Sequence, residues 1–339
     1  MKAVGYHQHG LPITDPRALE DLELPEPAAP AGRDLLVRVH AVSVNPRDVK
    51  SRMVMAAQAG KPVVLGYDAS GVVEAVGPDA SLFRPGDAVF YAGVLDRQGS
   101  NAELQLVDER IVGRKPASLD HATAASMPLT ALTAWEMLFD RLVLQRGGGE
   151  GEALLIVGGA GGVPSIAIQL ARALTGVVVI ATASRPESAA WVRDLGAMHV
   201  VDHSRPLAAQ VAAIAGLPPV SRIFSTHTDA ASWAEMAKIV APQGRIGLID
   251  DPEPLDLRPL KFKSASIHWE AMFTRPMFRT ADMIRQHEIL NDVAALVDAG
   301  VLRATASRSL GTINAQNLRL AHTALEAGRV VGKIVLAGF

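Results

Sequence analysis

The chain has 339 residues, 49% of them apolar, and its formal net charge at pH 7 is −2. This length allows two domains with sizeable cores, and the weak charge argues against nucleic acid or an anionic membrane as a partner. Cysteine is absent, which excludes disulfides, thiolate zinc ligands and cysteine nucleophiles. Neither a secretion signal nor an apolar run of membrane-spanning length is predicted, so we expect a soluble cytoplasmic protein.

Residues 1–125 are predicted to form a domain rich in short β-strands. Alternating or β-branched runs stand at 35–44, 69–77 and 102–107, and the dipeptide Pro85-Gly86 precedes another strand that ends at Tyr91. Strands of this length, separated by Gly and Pro, favour a small barrel-like domain.

The pattern changes near His121, where residues 122–135 have a helical composition with a break at Pro128. Strands and helices then alternate. The predicted strands are 154–157, 177–181, 199–201, 223–225 and 246–249, and the predicted helices are 166–174, 187–195, 207–215 and 233–240. This alternation predicts a doubly wound parallel sheet over residues 126–265. Residues 266–339 contain a helical stretch at 280–299 and a last strand at 333–337.

A glycine-rich turn joins the strand 154–157 to the helix that follows it. Four glycines occupy five positions, 158–162, and Gly159 and Gly161 match the first two glycines of a dinucleotide-binding loop. In such loops the backbone approaches a pyrophosphate at the N-terminus of the helix. Predicted cofactor contacts here are Gly159, Ala160, Gly161, Gly162 and Val163. A glycine turn in another α/β fold remains the alternative.

The third glycine of the motif is replaced by Pro164. Proline is tolerated in the first helical turn, because its missing N–H breaks no helical bond there. It removes one donor that could have reached a phosphate.

The end of the second strand indicates which dinucleotide fits. Enzymes that prefer NAD carry Asp or Glu at this point to bind the ribose 2′-hydroxyl. Here Ser184 and Arg185 follow the strand, and a guanidinium suits a phosphate monoester. We therefore expect NADPH as the cofactor. Alternatively or in addition, Ser184 caps the next helix, with Pro186 in its first turn.

The whole chain resembles the medium-chain dehydrogenases/reductases, in particular the quinone oxidoreductase branch and proteins labelled zinc-type alcohol dehydrogenase-like. The stretches that resemble this family are distributed along the whole chain, and one of them is the glycine loop. The other stretches are 44–48, 66–71, 83–87, 99–103, 128–131, 195–197, 244–245 and 332–336. The resemblance implies a GroES-like catalytic domain completed by the C-terminal segment, an inserted Rossmann domain, and a homodimer or homotetramer built through the Rossmann sheet.

The resemblance also shows where a zinc site would fall. Where the first cysteine ligand of the zinc-dependent branch would fall, this chain has Asn45-Pro-Arg-Asp48, and where its His and Glu would fall it has Tyr67 and Asp68. We therefore predict no metal. Without a metal, reduction of a simple ketone is disfavoured, whereas a quinone or an α,β-unsaturated carbonyl delocalises the charge itself.

Site residues are carried over from the matched motifs. Asn45 and Tyr67 are the predicted catalytic residues, with a turn residue and core packing as their respective alternatives. Asp48 and Asp68 are expected to hold loops. The remaining predicted contacts are Asn45, Thr130, His227, Ile249 and Lys333 for the cofactor, and Tyr67, Trp269 and Phe273 for the substrate. For Lys333 the alternative is a solvated turn lysine. For Trp269 and Phe273 it is packing within one helix.

The leading hypothesis is a zinc-independent, NADPH-dependent reductase of quinones or enones. Two alternatives remain open at this point: a zinc-type alcohol dehydrogenase, and a non-catalytic NADPH-binding protein that acts as a redox sensor.

Overall fold

The computed structural model describes residues 1–58 and 60–339. It divides into two compact units, the first formed by Met1–Leu132 with Phe273–Phe339 and the second by Thr133–Met272. The sequence predicted this order of segments, with both boundaries a few residues earlier, at 125 and 265. In the part of the chain that is described, no helix is long and apolar enough to cross a membrane.

Among the residues described, the first unit begins with eight strands and two helices, and a third helix continues into the second unit. The strands are β1 (Lys2–Tyr6), β2 (Glu20–Glu23), β3 (Asp34–Val44), β4 (Val63–Val64), β5 (Ala69–Val76), β6 (Ala88–Tyr91), β7 (Leu104–Asp108) and β8 (Val112–Arg114), and the helices are α1 (Pro46–Val54), α2 (His121–Ala124) and α3 (Pro128–Trp135). The predicted break in the helical stretch is confirmed, since Pro128 is the first residue of α3, where proline is favoured.

The second unit alternates strands and helices. They are β9 (Ala153–Val157), α4 (Gly162–Leu174), β10 (Val178–Thr182), α5 (Pro186–Asp194), β11 (His199–Val201), α6 (Leu207–Ala212), β12 (Val220–Ser225), α7 (Ala230–Ile239), β13 (Arg245–Leu248) and β14 (Ser266–Trp269). The six strands form one parallel sheet in the order β11-β10-β9-β12-β13-β14. Every residue of β9 is buried, as expected for a central strand covered on both faces.

The C-terminal segment returns to the first unit. It contains α8 (Thr274–Phe278), α9 (Arg285–Asp298), β15 (Ala306–Ser309), α10 (Ala315–Glu326) and β16 (Lys333–Ala337). Strand β16 pairs antiparallel with β3, which completes a seven-stranded sheet. In this register Ile334 faces Val44, so Lys333 lies beside the residue that follows β3, Asn45. The predicted combination of a GroES-like β domain with a doubly wound parallel sheet is confirmed.

Candidate active site

The carboxyl ends of the parallel strands in the second unit carry most of the predicted cofactor contacts. The glycine loop follows β9, Ser184 and Arg185 follow β10, His227 follows β12 and Ile249 follows β13. Numbered along the chain, the sheet order is 3-2-1-4-5-6, the order of dinucleotide-binding folds. Successive strands are added on one side of β9 as far as β11 and on its other side from β12 onwards. The strand order therefore reverses between β9 and β12, and ligands of such sheets bind at this switch point.

The glycines of the loop meet different constraints. Gly158 has φ +86° and a Cβ there would collide with Thr226 Oγ1, so this position requires glycine. A Cβ on Gly159 would lie 2.9 Å from the carbonyl oxygen of Thr182, so this glycine lets the loop pack on β10. In contrast, a Cβ on Gly161 would approach no protein atom more closely than 3.6 Å. The protein itself does not require glycine at 161. The close approach of a ligand would explain why glycine stands there.

Helix α4 begins directly after the loop. Gly161 is its N-cap residue, Gly162 and Val163 are its first two residues, and the buried Pro164 is the third. The first backbone N–H groups of a helix have no partner within the helix. Gly162 and Val163 therefore offer two such donors, and the N–H of Ser165 already binds the carbonyl oxygen of Gly161.

The residue that caps helix α5, after the end of β10, differs from the one that the sequence suggested. Arg185, not Ser184, is the N-cap residue of α5, and the hydroxyl of Ser188 accepts a hydrogen bond from its N–H at 3.3 Å. The alternative in which Ser184 caps the helix is therefore wrong, although Pro186 does begin it. Ser184 is exposed and Arg185 is partly exposed. Among the residues described here, these two provide the hydroxyl and the guanidinium predicted at this tip.

Trp269 and Phe273 do not belong to one helix. Trp269 ends strand β14 and is largely exposed, whereas Phe273 precedes α8 and is buried. The ring of Phe273 packs edge-on against Tyr67, with 5.4 Å between the ring centroids. The alternative of packing within one helix is therefore wrong for both residues.

In the first unit, a buried ammonium group organises the predicted catalytic region. Lys333 is 4% exposed, and its Nζ donates to the backbone oxygen of Val44 at 3.1 Å, to Asp68 Oδ2 at 2.9 Å and to Asn45 Oδ1. All three protons of the ammonium are used. The alternative of a solvated turn lysine is therefore wrong, and a direct cofactor contact by Lys333 would have to displace one of these bonds.

These contacts fix the orientation of the Asn45 amide. Asn45 Nδ2 donates to Asp68 Oδ2 at 2.8 Å, while Oδ1 accepts from Lys333. Because an ammonium only donates and a carboxylate only accepts, the amide cannot be turned the other way. Asn45 also begins helix α1 as its N-cap residue, and it is 1% exposed. Its amide is therefore part of a closed three-membered ring of hydrogen bonds with Lys333 and Asp68.

The two aspartates of this region hold backbone segments, as expected. Asp68 Oδ1 accepts from the N–H of Leu129 at 2.8 Å, and Asp48 Oδ2 accepts from the N–H of Asn45 at 2.8 Å. Burial raises the pKa of Asp48 to about 7, against the opposing effects of the Asn45 N–H and the Lys333 ammonium. Burial also raises the pKa of Asp68, and Lys333 opposes this shift.

Tyr67 and Thr130 have intramolecular partners. The Tyr67 hydroxyl, in a side chain that is almost fully buried, donates to Ser51 Oγ at 3.1 Å, and it also lies 3.4 Å from Met55 Sδ. Burial raises the pKa of Tyr67 to about 12. The Thr130 hydroxyl donates to the carbonyl oxygen of Met127 at 2.9 Å within its own helical region. Ser51 and Met55 were not predicted, because only the fold of α1 against Tyr67 brings them there.

Comparison with known proteins identifies the family. Residues 31–117 match the alcohol dehydrogenase GroES-like domain, and residues 162–285 match the zinc-binding dehydrogenases. A zinc-type alcohol dehydrogenase-like protein of Staphylococcus aureus is 43% identical over 310 residues, which cover 91% of each chain. The chain belongs to the medium-chain dehydrogenase/reductase superfamily. It is therefore an oxidoreductase of that superfamily, with the pyridine-nucleotide-binding fold of its members.

Solved structures of this superfamily are similar along the whole chain. A candidate zinc-dependent alcohol dehydrogenase of Rhizobium etli is 56% identical, covers 100% of this chain and 98% of its own, and superposes with a TM-score of 0.95. A quinone oxidoreductase of Pseudomonas syringae is 26% identical, covers 99% of both chains and gives a TM-score of 0.83.

The residues of this chain do not fit the zinc that three of these descriptions mention. Zinc sites use thiolate, imidazole and carboxylate ligands, and the sequence contains no cysteine. At the positions where the resemblance places zinc ligands, Asn45 and Asp68 accept hydrogen bonds from the ammonium of Lys333. This ammonium would also repel a metal cation. Within residues 1–58 and 60–339, no three His, Asp or Glu side chains are grouped so that they could hold a metal ion.

Proposed function

We propose that this protein is a zinc-independent reductase that uses NADPH to reduce quinones or α,β-unsaturated carbonyl compounds. The observation that carries the proposal is the Lys333–Asn45–Asp68 ring at the carried-over zinc positions. An ammonium that donates all three protons within the protein has none left for a substrate oxygen, and its charge disfavours a Lewis-acidic metal ion at the same position. The acceptor must then stabilise its own developing charge.

Conjugated acceptors meet this requirement. The bound nicotinamide supplies a hydride, and a quinone or an enone spreads the resulting negative charge over its π-system as a hydroquinone or enolate anion. The protein then has to bind the acceptor and orient it. The edge-to-face pair of Tyr67 and Phe273 would contact a planar acceptor through the small part of its surface that stays exposed. The similarity to a quinone oxidoreductase supports the same substrate class.

The preference for NADPH rests on the end of β10. The side chains that follow this strand are Ser184 and Arg185, and no carboxylate stands there to bind a ribose 2′-hydroxyl. A guanidinium at this position favours the 2′-phosphate through charge-assisted hydrogen bonds.

Alcohol oxidation is the second candidate, because the descriptions of two similar proteins name alcohol dehydrogenases. The donor set at Asn45 and Asp68 argues against it. Binding of NADPH without turnover is the third possibility, and it would require no acceptor at all.

Steady-state kinetics distinguish these functions. The purified protein, stripped with a strong chelator and checked for zinc by elemental analysis, is assayed with NADPH or NADH against quinones, enones and simple alcohols. We expect turnover of quinones or enones with NADPH after metal removal, and none of alcohols. In Arg185→Ala the affinity for NADPH should fall by roughly 1–3 kcal/mol, the range of hydrogen bonds to charged groups, while that for NADH should barely change.

The possible failures differ from one another. Activity that disappears with about one zinc per chain would support the alcohol dehydrogenase, and NADPH binding without any turnover would support the non-catalytic protein. Equal losses of NADPH and NADH affinity in Arg185→Ala would contradict the assignment of the 2′-phosphate contact.

A further inference from the structure

Arg47 has no hydrogen-bond or ion-pair partner among the residues that the structure describes. It is the second residue of helix α1 and is only partly exposed, and its Nε is buried with no hydrogen-bond acceptor among the residues that the structure describes. The same residues provide neither a hydrogen bond nor an ion pair to the rest of its guanidinium. Burying part of a charge without a partner is costly, so an arginine of this kind indicates an anion that arrives from outside the chain.

Other arginines of the chain show the contrast. Arg52, on the same helix, is buried and forms an ion pair with Glu326. Arg33 pairs with Glu109, and Arg141 pairs with Glu270. The fold thus gives a carboxylate partner to the buried Arg52 and to the more exposed Arg33 and Arg141, whereas Arg47 has none within the described residues.

The surroundings of Arg47 do not neutralise it. The charge of Asp68 is balanced by Lys333 in the hydrogen-bonded ring. Asp48, the next residue along the helix, accepts from the N–H of Asn45 and not from Arg47. Neither carboxylate of this region therefore pairs with the Arg47 guanidinium, whose positive charge stays available to an anionic ligand.

Arg47 lies one helical turn before Ser51 in α1, and the hydroxyl of Ser51 accepts from Tyr67. The positive charge of Arg47 acts on the Tyr67 hydroxyl, whose pKa it lowers against the larger effect of burial. Tyr67 packs against Phe273 in the same unit. This placement beside two predicted substrate contacts favours the anionic group of an acceptor as the partner of Arg47.

We propose that Arg47 is a specificity-determining residue that binds a carboxylate on the acceptor, so that the preferred substrates are conjugated carbonyl compounds carrying an anionic group. This proposal rests on the reductase function proposed above. A representative reaction adds a hydride from NADPH to the carbon β to the ketone of trans-4-oxopent-2-enoate and a proton from water to the α carbon. The products are 4-oxopentanoate, NADP⁺ and hydroxide.

The test compares this acid with its methyl ester, which has the same reactive π-system without the charge. For the wild type we expect kcat/KM to be higher for the acid by roughly tenfold to a hundredfold, the ratio that a charge-assisted hydrogen bond gives. In Arg47→Gln this ratio should fall to about one, mainly through the KM of the acid, and Arg47→Lys should restore part of it. Lys50→Gln, which removes an exposed positive charge from the same helix, is the matched control and should keep the ratio.

Three results would overturn the proposal. The first is an unchanged acid-to-ester ratio in Arg47→Gln. The second is an equal loss of kcat for acid and ester, which would mean that Arg47 acts on the developing enolate. The third is a loss of NADPH affinity in Arg47→Gln, measured by fluorescence titration, which would assign Arg47 to a cofactor phosphate.

Failure of the reductase function remains distinguishable. If neither compound is turned over, calorimetric titration of the wild type and Arg47→Gln with trans-4-oxopent-2-enoate still measures the site. Binding by the wild type alone would support the anion site without the reaction. Equal binding, or no binding by either protein, would overturn it.

Discussion

His322 shows how a single residue can set the acid sensitivity of the fold. Its side chain on α10 is completely buried, and neither ring nitrogen has a hydrogen-bond partner in the described part of the chain. Burial, together with the charge of Arg52, lowers its pKa to about 3. In the unfolded chain the pKa is about 6.5. The unfolded state therefore binds a proton first as the pH falls, and the folded state loses stability below pH 6.5 down to about 3.

We expect His322→Leu to raise the free energy of unfolding by about 1 kcal/mol at pH 7, because it replaces an unpaired buried polar group with an apolar one. The gain should be larger at pH 5, where the unfolded wild type is protonated. Urea denaturation at both pH values measures this. His287→Leu is the control and should destabilise the protein, since the His287 ring contacts the oxygen of Val112 at 2.6 Å and Asn291 at 2.9 Å. Lower stability of His322→Leu at pH 7 would contradict the prediction.

The residues of the candidate site were easier to name than to assign a role. Asn45 and Lys333 could be selected from matched motifs, but their mutual contact joins positions 288 residues apart and depends on the pairing of β16 with β3. Arg47 could not be selected at all. Arg47 stands out only because its guanidinium lacks a partner among the described residues. Which groups surround a charged side chain depends on the fold, and spacing along the chain does not show it.

At the scale of elements, the sequence predicted the parallel sheet well and its surroundings less well. The strand His199–Val201 and the strand Lys333–Ala337 have the predicted bounds, because each contains adjacent β-branched residues, which favour strands. Strand β14 and helix α10 were missed. No residue of β14 is fully buried, and the strand contains no continuous apolar run that the sequence could show. Its hydrogen bonds to β13 define it, and they form only in the folded sheet.

The glycine loop gives the sharpest prediction at this scale. Gly161→Val should abolish NADPH binding with little change in stability, because its φ of −71° suits any residue and its Cβ meets only ordinary contacts. The added side chain would instead occupy the space of the pyrophosphate. Calorimetric titration with NADPH and thermal unfolding provide the two measurements.

The neighbouring glycine is the matched control for this variant. Gly159→Val places its Cβ 2.9 Å from the Thr182 carbonyl oxygen and 3.1 Å from Ala181 Cβ, so it should lower the melting temperature whether or not a cofactor is present. If Gly161→Val still binds NADPH with the affinity of the wild type, the loop is not the cofactor site.

For the molecule as a whole, the six-stranded sheet leaves an edge that suggests self-association. β14 is the terminal strand of the sheet, so its outer N–H and C=O groups face no strand among the residues described. Unpaired backbone groups at the edge of a sheet can pair with a strand of another chain. Two exposed apolar side chains are Trp269, at the end of β14, and Leu257. A cavity of about 780 Å³ is lined by residues from the segment between Pro252 and Trp269. We propose that a second copy of the chain covers this edge.

Phe262 provides the test of this dimer. It is 95% exposed and follows Lys261, which lines the cavity beside β14. In a two-fold dimer the same surface of both copies meets, so one substitution affects the interface twice. Phe262→Lys should therefore shift the protein from dimer to monomer at micromolar concentration, as measured by sedimentation velocity. Phe278→Lys changes another exposed phenylalanine, 74% exposed and in the other unit, and should leave the dimer intact. A monomeric wild type, or equal dissociation of both variants, would show that β14 is not the interface.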